Sequence, residues 1–221
     1  MDSPQIVGLG GRPDESMLDH VLGLARGRRV LYVPTAGNED PGRALDWYER
    51  LRGRAEFTPL RFYPWPPDDL RALTLEHDVV MVPGGNTANM LAIWRTHGFD
   101  AILREAWQAG ILLTGWSAGM ICWYEAGVTD SFGPQLEGMR DGLGFLPGSA
   151  CPHYDGEERR RPVYRQLVDG GYPAGLALDD AAGAHYVGTT LHEVVTSQPG
   201  SGGYRVGPDG EAPLPARLVT G

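Results

Sequence analysis

Two cysteines, Cys122 and Cys151, are all that the 221-residue chain holds. That is too few for a disulfide framework and points to a reducing compartment. No basic run is longer than Arg159-Arg160-Arg161, and the formal net charge is −9 at pH 7. Collecting nucleic-acid phosphates needs a positive field, so no nucleic-acid partner is expected. No apolar run approaches the ~20 residues that span a bilayer. Met1-Asp2-Ser3-Pro4 lacks the basic start and apolar stretch of a secretory signal. The expectation is a cytoplasmic chain with no membrane partner. Neither Gly-x-Gly-x-x-Gly nor a Gly-Lys-Ser/Thr loop occurs, which leaves nucleotide binding without a cradle. Histidines and cysteines nowhere show zinc spacing, so neither a metal nor a cofactor is expected.

Glycine (32) and proline (18) are abundant but dispersed between apolar runs, the pattern of many tight loops rather than of disorder. Four runs read as buried parallel strands: Gln5–Leu9, Arg29–Val33, Asp78–Val82 and Gly110–Thr114. Helical spacing separates them over Glu15–Ala25, Pro41–Leu51, Thr87–Thr96 and Ala101–Ala109. This alternation predicts a single α/β domain, residues 1–221, with a mostly parallel sheet flanked by helices. A late strand is expected around Tyr204-Arg205-Val206, and Trp65 and Trp123 are expected to pack.

Function in such folds gathers just beyond the carboxyl ends of the strands. After the fourth run comes Gly115-Trp116-Ser117-Ala118-Gly119, a Gly-x-Ser-x-Gly turn between strand and helix. The serine in such a turn is lifted clear of the sheet above a helix N-terminus, which suits a nucleophile. After the third comes Pro83-Gly84-Gly85-Asn86-Thr87, where the glycine pair allows positive φ and close backbone approach to a ligand. Gly85 and Ala118 are therefore candidate oxyanion amides. The base must be a histidine oriented by a carboxylate. The residues alone leave His153, His185 and His192 open, and Asp130, Asp155, Asp179 and Asp180 as acids.

Gly-Gly-Asn-Thr opening a helix, then Gly-Trp-Ser-Ala-Gly, then Pro152-His153-Tyr154 together resemble the peptidase E family of aspartyl dipeptidases and the related cyanophycinases. The resemblance covers Val79 to about Gly188. It implies a class-I-glutamine-amidotransferase-like, flavodoxin-like fold and a Ser-His-Glu triad. On this chain Ser117 matches the nucleophile, His153 the base, and Gly85 with Ala118 the oxyanion amides. The acid falls at Asp180, with Asp130 the alternative. Aspartate is one methylene shorter than the family's glutamate, which is a departure from the pattern.

The same resemblance implies small peptides with an N-terminal aspartate as substrates. It puts Arg160 on the substrate carboxylate; Asn86 and Thr87 are further candidates for the substrate cavity. An arginine fork suits that task because it holds a carboxylate with two hydrogen bonds. Glu157–Arg161 also reads as a solvated first helical turn. A cyanophycinase-like or esterase activity, or a silent binding protein on the same scaffold, remains open. A monomer or homodimer is expected.

Overall fold

Successive residues of the early strands enter two different cores. Val79 and Met81 pack with one cluster, Val80 and Val82 with another. A strand buried on both faces needs helices on both sides, and the chain supplies them. The computed structural model describes residues 3–220. Its first half runs β1 (Gln5–Leu9), α1 (Glu15–Gly23), β2 (Arg29–Tyr32), α2 (Pro41–Leu51), β3 (Glu56–Pro59), α3 (Leu70–Leu75), β4 (Val79–Val82), α4 (Thr87–Thr96), α5 (Phe99–Gln108), β5 (Leu112–Trp116) and α6 (Ala118–Ile121). The four predicted strands are present. β3 is an addition: its Glu56 and Pro59 are exposed, so it has no apolar signature.

Helix starts follow local chemistry. Asp14 caps α1 by accepting from the Met17 amide, and Asp40 caps α2 by accepting from Gly42 and Arg43, with Pro41 at the first helical position. Residues Met17, Leu18 and Val21 of α1 and Trp47 and Leu51 of α2 cover one face of the sheet. Met90, Leu91 and Trp94 of α4 and Phe99 and Leu103 of α5 belong to the core on the other. Each large apolar side chain so buried contributes about 1.5–3 kcal/mol.

The second half is mostly strand: β6 (Tyr124–Thr129), β7 (Glu137–Met139), β8 (Leu146–Cys151), α7 (Arg160–Asp169), β9 (Gly175–Leu178), β10 (Ala182–Val187), β11 (Thr190–Thr196), β12 (Gly203–Gly207), β13 (Gly210–Leu214) and β14 (Ala216–Leu218). The first sheet has the order β14-β11-β10-β1-β5-β4-β2-β3, and the second β13-β12-β9-β8-β6-β7. Strands β1, β5, β4, β2 and β3 are mutually parallel. β10 joins them antiparallel, so the sheet is parallel at its centre and mixed toward one edge. The expected α/β fold is present, with a second sheet beyond the one predicted. Leu146, Ala150, Leu176 and Leu178 of that second sheet share a core with Ile6, Val80 and Leu113 of the first, and α7 covers its other face.

Candidate active site

Ser117 links β5 to α6 with φ 57° and ψ −113°. Few non-glycine residues hold such angles, and they persist only where surrounding structure fixes them. The flanking glycines show what does so. A Cβ on Gly115 would lie 2.2 Å from the Val82 carbonyl oxygen, and one on Gly119 would lie 1.9 Å from it. The turn is pressed against the end of β4, so only hydrogen fits at either position. A Cβ on Gly84 would come 3.1 Å from Cβ of Ser117, which sets the Pro83–Thr87 loop directly beside the serine.

Gly85 adopts φ +148°, and its Cβ would meet the Ala36 carbonyl oxygen at 2.0 Å. The Asn86 amide donates to that same oxygen at 2.8 Å. Trp94, buried in α4, donates its indole N–H to Thr35 Oγ1 at 3.1 Å and ties down the turn that bears Ala36. The Gly85 amide has no acceptor among the described residues, and neither has that of Ala118, the first residue of α6. Two uncommitted amides beside one serine oxygen can stabilise negative charge on an attacked carbonyl.

His153 follows β8, also in the left-handed region at φ 55°. Its amide donates to Gly10 and the next, that of Tyr154, to Leu178, so the segment is held against both sheets. The imidazole Nδ1 lies 2.5 Å from Oδ1 of Asp180. A carboxylate only accepts, so Nδ1 carries the proton of this contact, and in the neutral ring the lone pair falls on Nε2. The Asp180 amide donates to Asp155. Its carboxylate nests against backbone: a Cβ on Gly11 would lie 2.6 Å from Oδ1, and one on Gly156 would lie 1.9 Å from Oδ2.

Ser117, His153, Gly84 and Gly85 line one cavity of about 310 Å³, together with Arg12, Tyr32, Arg43, Asp46, Trp47 and Trp116. Arg12 pairs with Asp46 and lies over the Trp47 ring. Arg43, in the first turn of α2, has no carboxylate partner among the described residues. The Tyr32 hydroxyl is buried without a hydrogen bond, and burial raises its pKa well above the ordinary phenol value. It is therefore a neutral donor in the cavity wall. Both thiols are buried, and burial pushes Cys151 up to about 12. Neither offers a thiolate.

Other expected site residues lie elsewhere. Arg160 is only 3 % exposed. It donates to the Val128 carbonyl and to Glu157, both at 2.7 Å, and does not line the cavity. The guanidinium expected to grip a substrate carboxylate is spent on these internal bonds. Burial alone would raise the Glu157 pKa, but the Arg160 hydrogen bond and charge outweigh it and leave the value lowered. Asn86 spends its side chain capping α4 and donating to the Ser131 carbonyl. Thr87 is buried, and neither residue lines the cavity. Asp130 is exposed and makes no bond to His153. Trp65, expected to pack, is 77 % exposed, whereas Trp123 is fully buried. Arg12, Tyr32 and Arg43 were not singled out by the sequence. The positional signal was there for Arg12, three residues past the carboxyl end of β1, whereas Arg43 comes eleven residues after β2, inside α2.

A strained serine in a strand-to-helix turn, beside free amides and a histidine held by a carboxylate, defines a hydrolase-type site on an α/β fold. The chain belongs to peptidase family S51, whose model matches residues 8–194. YgaJ of Bacillus subtilis (strain 168), an uncharacterized peptidase, is 40 % identical over 230 residues, covering 97 % of this chain and 99 % of its own. The fold is shared with the crystal structure of a peptidase from an acI-B1 Actinobacterium, with a TM-score of 0.68 and 17 % identity over 97 % of this chain and 95 % of that one. A Listeria monocytogenes EGD-e protein assigned to peptidase E has a TM-score of 0.66 and 17 % identity over 89 % and 98 % of the two chains. The chain is thus a peptidase by family.

Proposed function

We propose that this peptidase is of the serine type and cleaves small peptides, chiefly dipeptides with an N-terminal aspartate. The observation that carries the reading is the cavity shared by Ser117 and His153, with Asp180 bonded to the far nitrogen of the imidazole. His153 Nε2 takes the Ser117 proton as Oγ attacks the peptide carbonyl. The imidazolium formed is stabilised by Asp180, and the oxyanion is met by the amides of Gly85 and Ala118. His153 then returns the proton to the leaving amine, and water hydrolyses the acyl-enzyme by the reverse sequence. Arg43, with Arg12 beside it, offers the positive charge that an aspartate side chain needs. The role first considered for Arg160 passes to these two. The test is a panel of Asp-Leu, Asn-Leu, Glu-Leu and Ala-Leu, with a p-nitrophenyl ester alongside, on wild type and Ser117→Ala. Hydrolysis led by Asp-Leu and reduced by several orders of magnitude in Ser117→Ala is expected. Activity on the ester alone would leave a serine hydrolase without the dipeptidase assignment.

A further inference from the structure

An irregularity in the ladder of β10 and β11 brings together three potential ligands. His185 lies opposite Glu193 and Tyr186 opposite Leu191, so His192 is one residue in excess on its strand. In a regular strand residues 192 and 193 would point to opposite faces, but a bulge re-aims one of them. Here an imidazole nitrogen from each of His185 and His192 and a carboxylate oxygen of Glu193 all lie within 4.8 Å of one another. The two rings are 5.3 Å apart, inclined at 75°.

His185 is 5 % exposed. Its Nε2 lies 2.8 Å from Gln5 Oε1, an acceptor, so Nε2 carries the hydrogen. Nδ1 therefore holds a lone pair, and it is buried with no hydrogen-bond partner. A buried acceptor left unpaired costs free energy unless something fills its need. His20 on α1 leaves a second buried imidazole nitrogen, its Nε2, without a partner, but it lies outside the group of three.

We propose that His185, His192 and Glu193 bind a divalent transition cation of the zinc class, with water in the remaining position. Imidazoles with one carboxylate suit such an ion, whereas magnesium and calcium prefer all-oxygen shells. Gln5 fixes the tautomer and ring orientation of His185, as outer partners of metal-bound histidines do. Arg217 braces Glu193 through one bond to each oxygen, at 2.8 and 2.9 Å, which leaves each oxygen a further lone pair. The ion would pin β11 to β10 across the bulge. The site lies apart from Ser117, so the inference stands independently of the proposed catalysis.

The experiment is calorimetric titration of the metal-free full chain with zinc chloride, with thermal unfolding measured at each end point. Wild type, His192→Ala, Glu193→Gln and His153→Ala are compared. His192 is exposed, so its loss leaves the fold intact. One equivalent is expected in wild type and His153→Ala, with a rise in Tm on saturation. Affinity should fall at least about tenfold in His192→Ala and Glu193→Gln, and the Tm rise should vanish there. The proposal is overturned by an absence of saturable binding below ~100 μM zinc in wild type. It is equally overturned by unchanged binding in His192→Ala, or by binding that disappears in His153→Ala, which would mean that zinc takes the catalytic histidine instead.

Discussion

His153 and Asp180, 27 residues apart in the chain, meet with Nδ1 and Oδ1 at 2.5 Å. The contact makes Asp180 the residue that orients the imidazole. Asp180→Asn should lower kcat by two or more orders of magnitude with little change in KM, because the imidazolium formed during attack loses its counter-charge. Asp130→Asn should change kcat less than about threefold. Steady-state kinetics on one dipeptide decides, and the opposite ranking would move the acid to the β6–β7 loop.

Arg43 is a guanidinium in the cavity wall without a carboxylate of its own. Arg43→Ala should cut kcat/KM for Asp-Leu on the order of a hundredfold while barely touching Ala-Leu, so that preference for aspartate collapses. Arg43→Lys should recover only part, since an ammonium cannot make the two-pronged bond. Retention of the wild-type preference by Arg43→Ala would remove it from substrate recognition. An Asp-Leu amide beside Asp-Leu tests which carboxylate is held: equal losses for both substrates implicate the side chain.

Arg160→Ala should behave quite differently. The substitution strands the buried Val128 carbonyl and empties the space of a long side chain under α7. The expected cost is about 2–3 kcal/mol of stability, measured by denaturant unfolding. The ranking of Asp-Leu over Ala-Leu should survive in whatever folded enzyme remains. A stable variant with levelled specificity would restore the substrate role that its burial argues against.

Asp179, next to the carboxylate that meets His153, is buried and accepts from the Gly202 amide at 2.8 Å and from the Tyr204 hydroxyl. Burial raises its carboxyl pKa, against the lowering effect of the Gly202 bond. A raised folded pKa means that its favourable contribution is full below the unfolded value and is lost as pH rises through the folded one. Asp179→Asn keeps an acceptor oxygen and removes the charge. It should therefore be more stable than wild type at neutral pH, with the gap closing toward pH 3 (Tm against pH reads it).

Much of this was legible before any coordinates. The four runs that became β1, β2, β4 and β5 are apolar because helices cover both faces. The serine turn and the Gly84-Gly85 pair announce themselves because backbone crowding leaves room for nothing larger. Of the second sheet only β12, expected around Tyr204-Arg205-Val206, was legible. β8 contains Pro147-Gly148 and β13 contains Pro213, so neither shows an unbroken apolar run or clean alternation. Residues alone could not choose His153 over His185 or His192; family resemblance could. The inward turn of Arg160 is not legible, because a triplet of arginines reads as solvated surface or as a ligand grip and carries no sign of which one is buried. Arg43 was passed over since its neighbour in space, Ser117, is 74 positions away. The histidine–glutamate cluster depends on a single-residue bulge, which has no local signature in Thr190–Thr196.

Ser117 hangs from the first sheet and His153 from the second. Asp180 sits where the chain passes back from β9 to β10, between the two. The proposed triad is thus spread over a joint rather than carved into either slab. A misplacement near 1 Å can cost about a hundredfold in rate. Gentle warming or dilute urea that loosens the joint should silence turnover while circular dichroism still reads full helix and strand. A ligand lodged in the crevice would firm the joint as well as block it. Catalysis here doubles as a strain gauge for how tightly two halves of one chain are clasped.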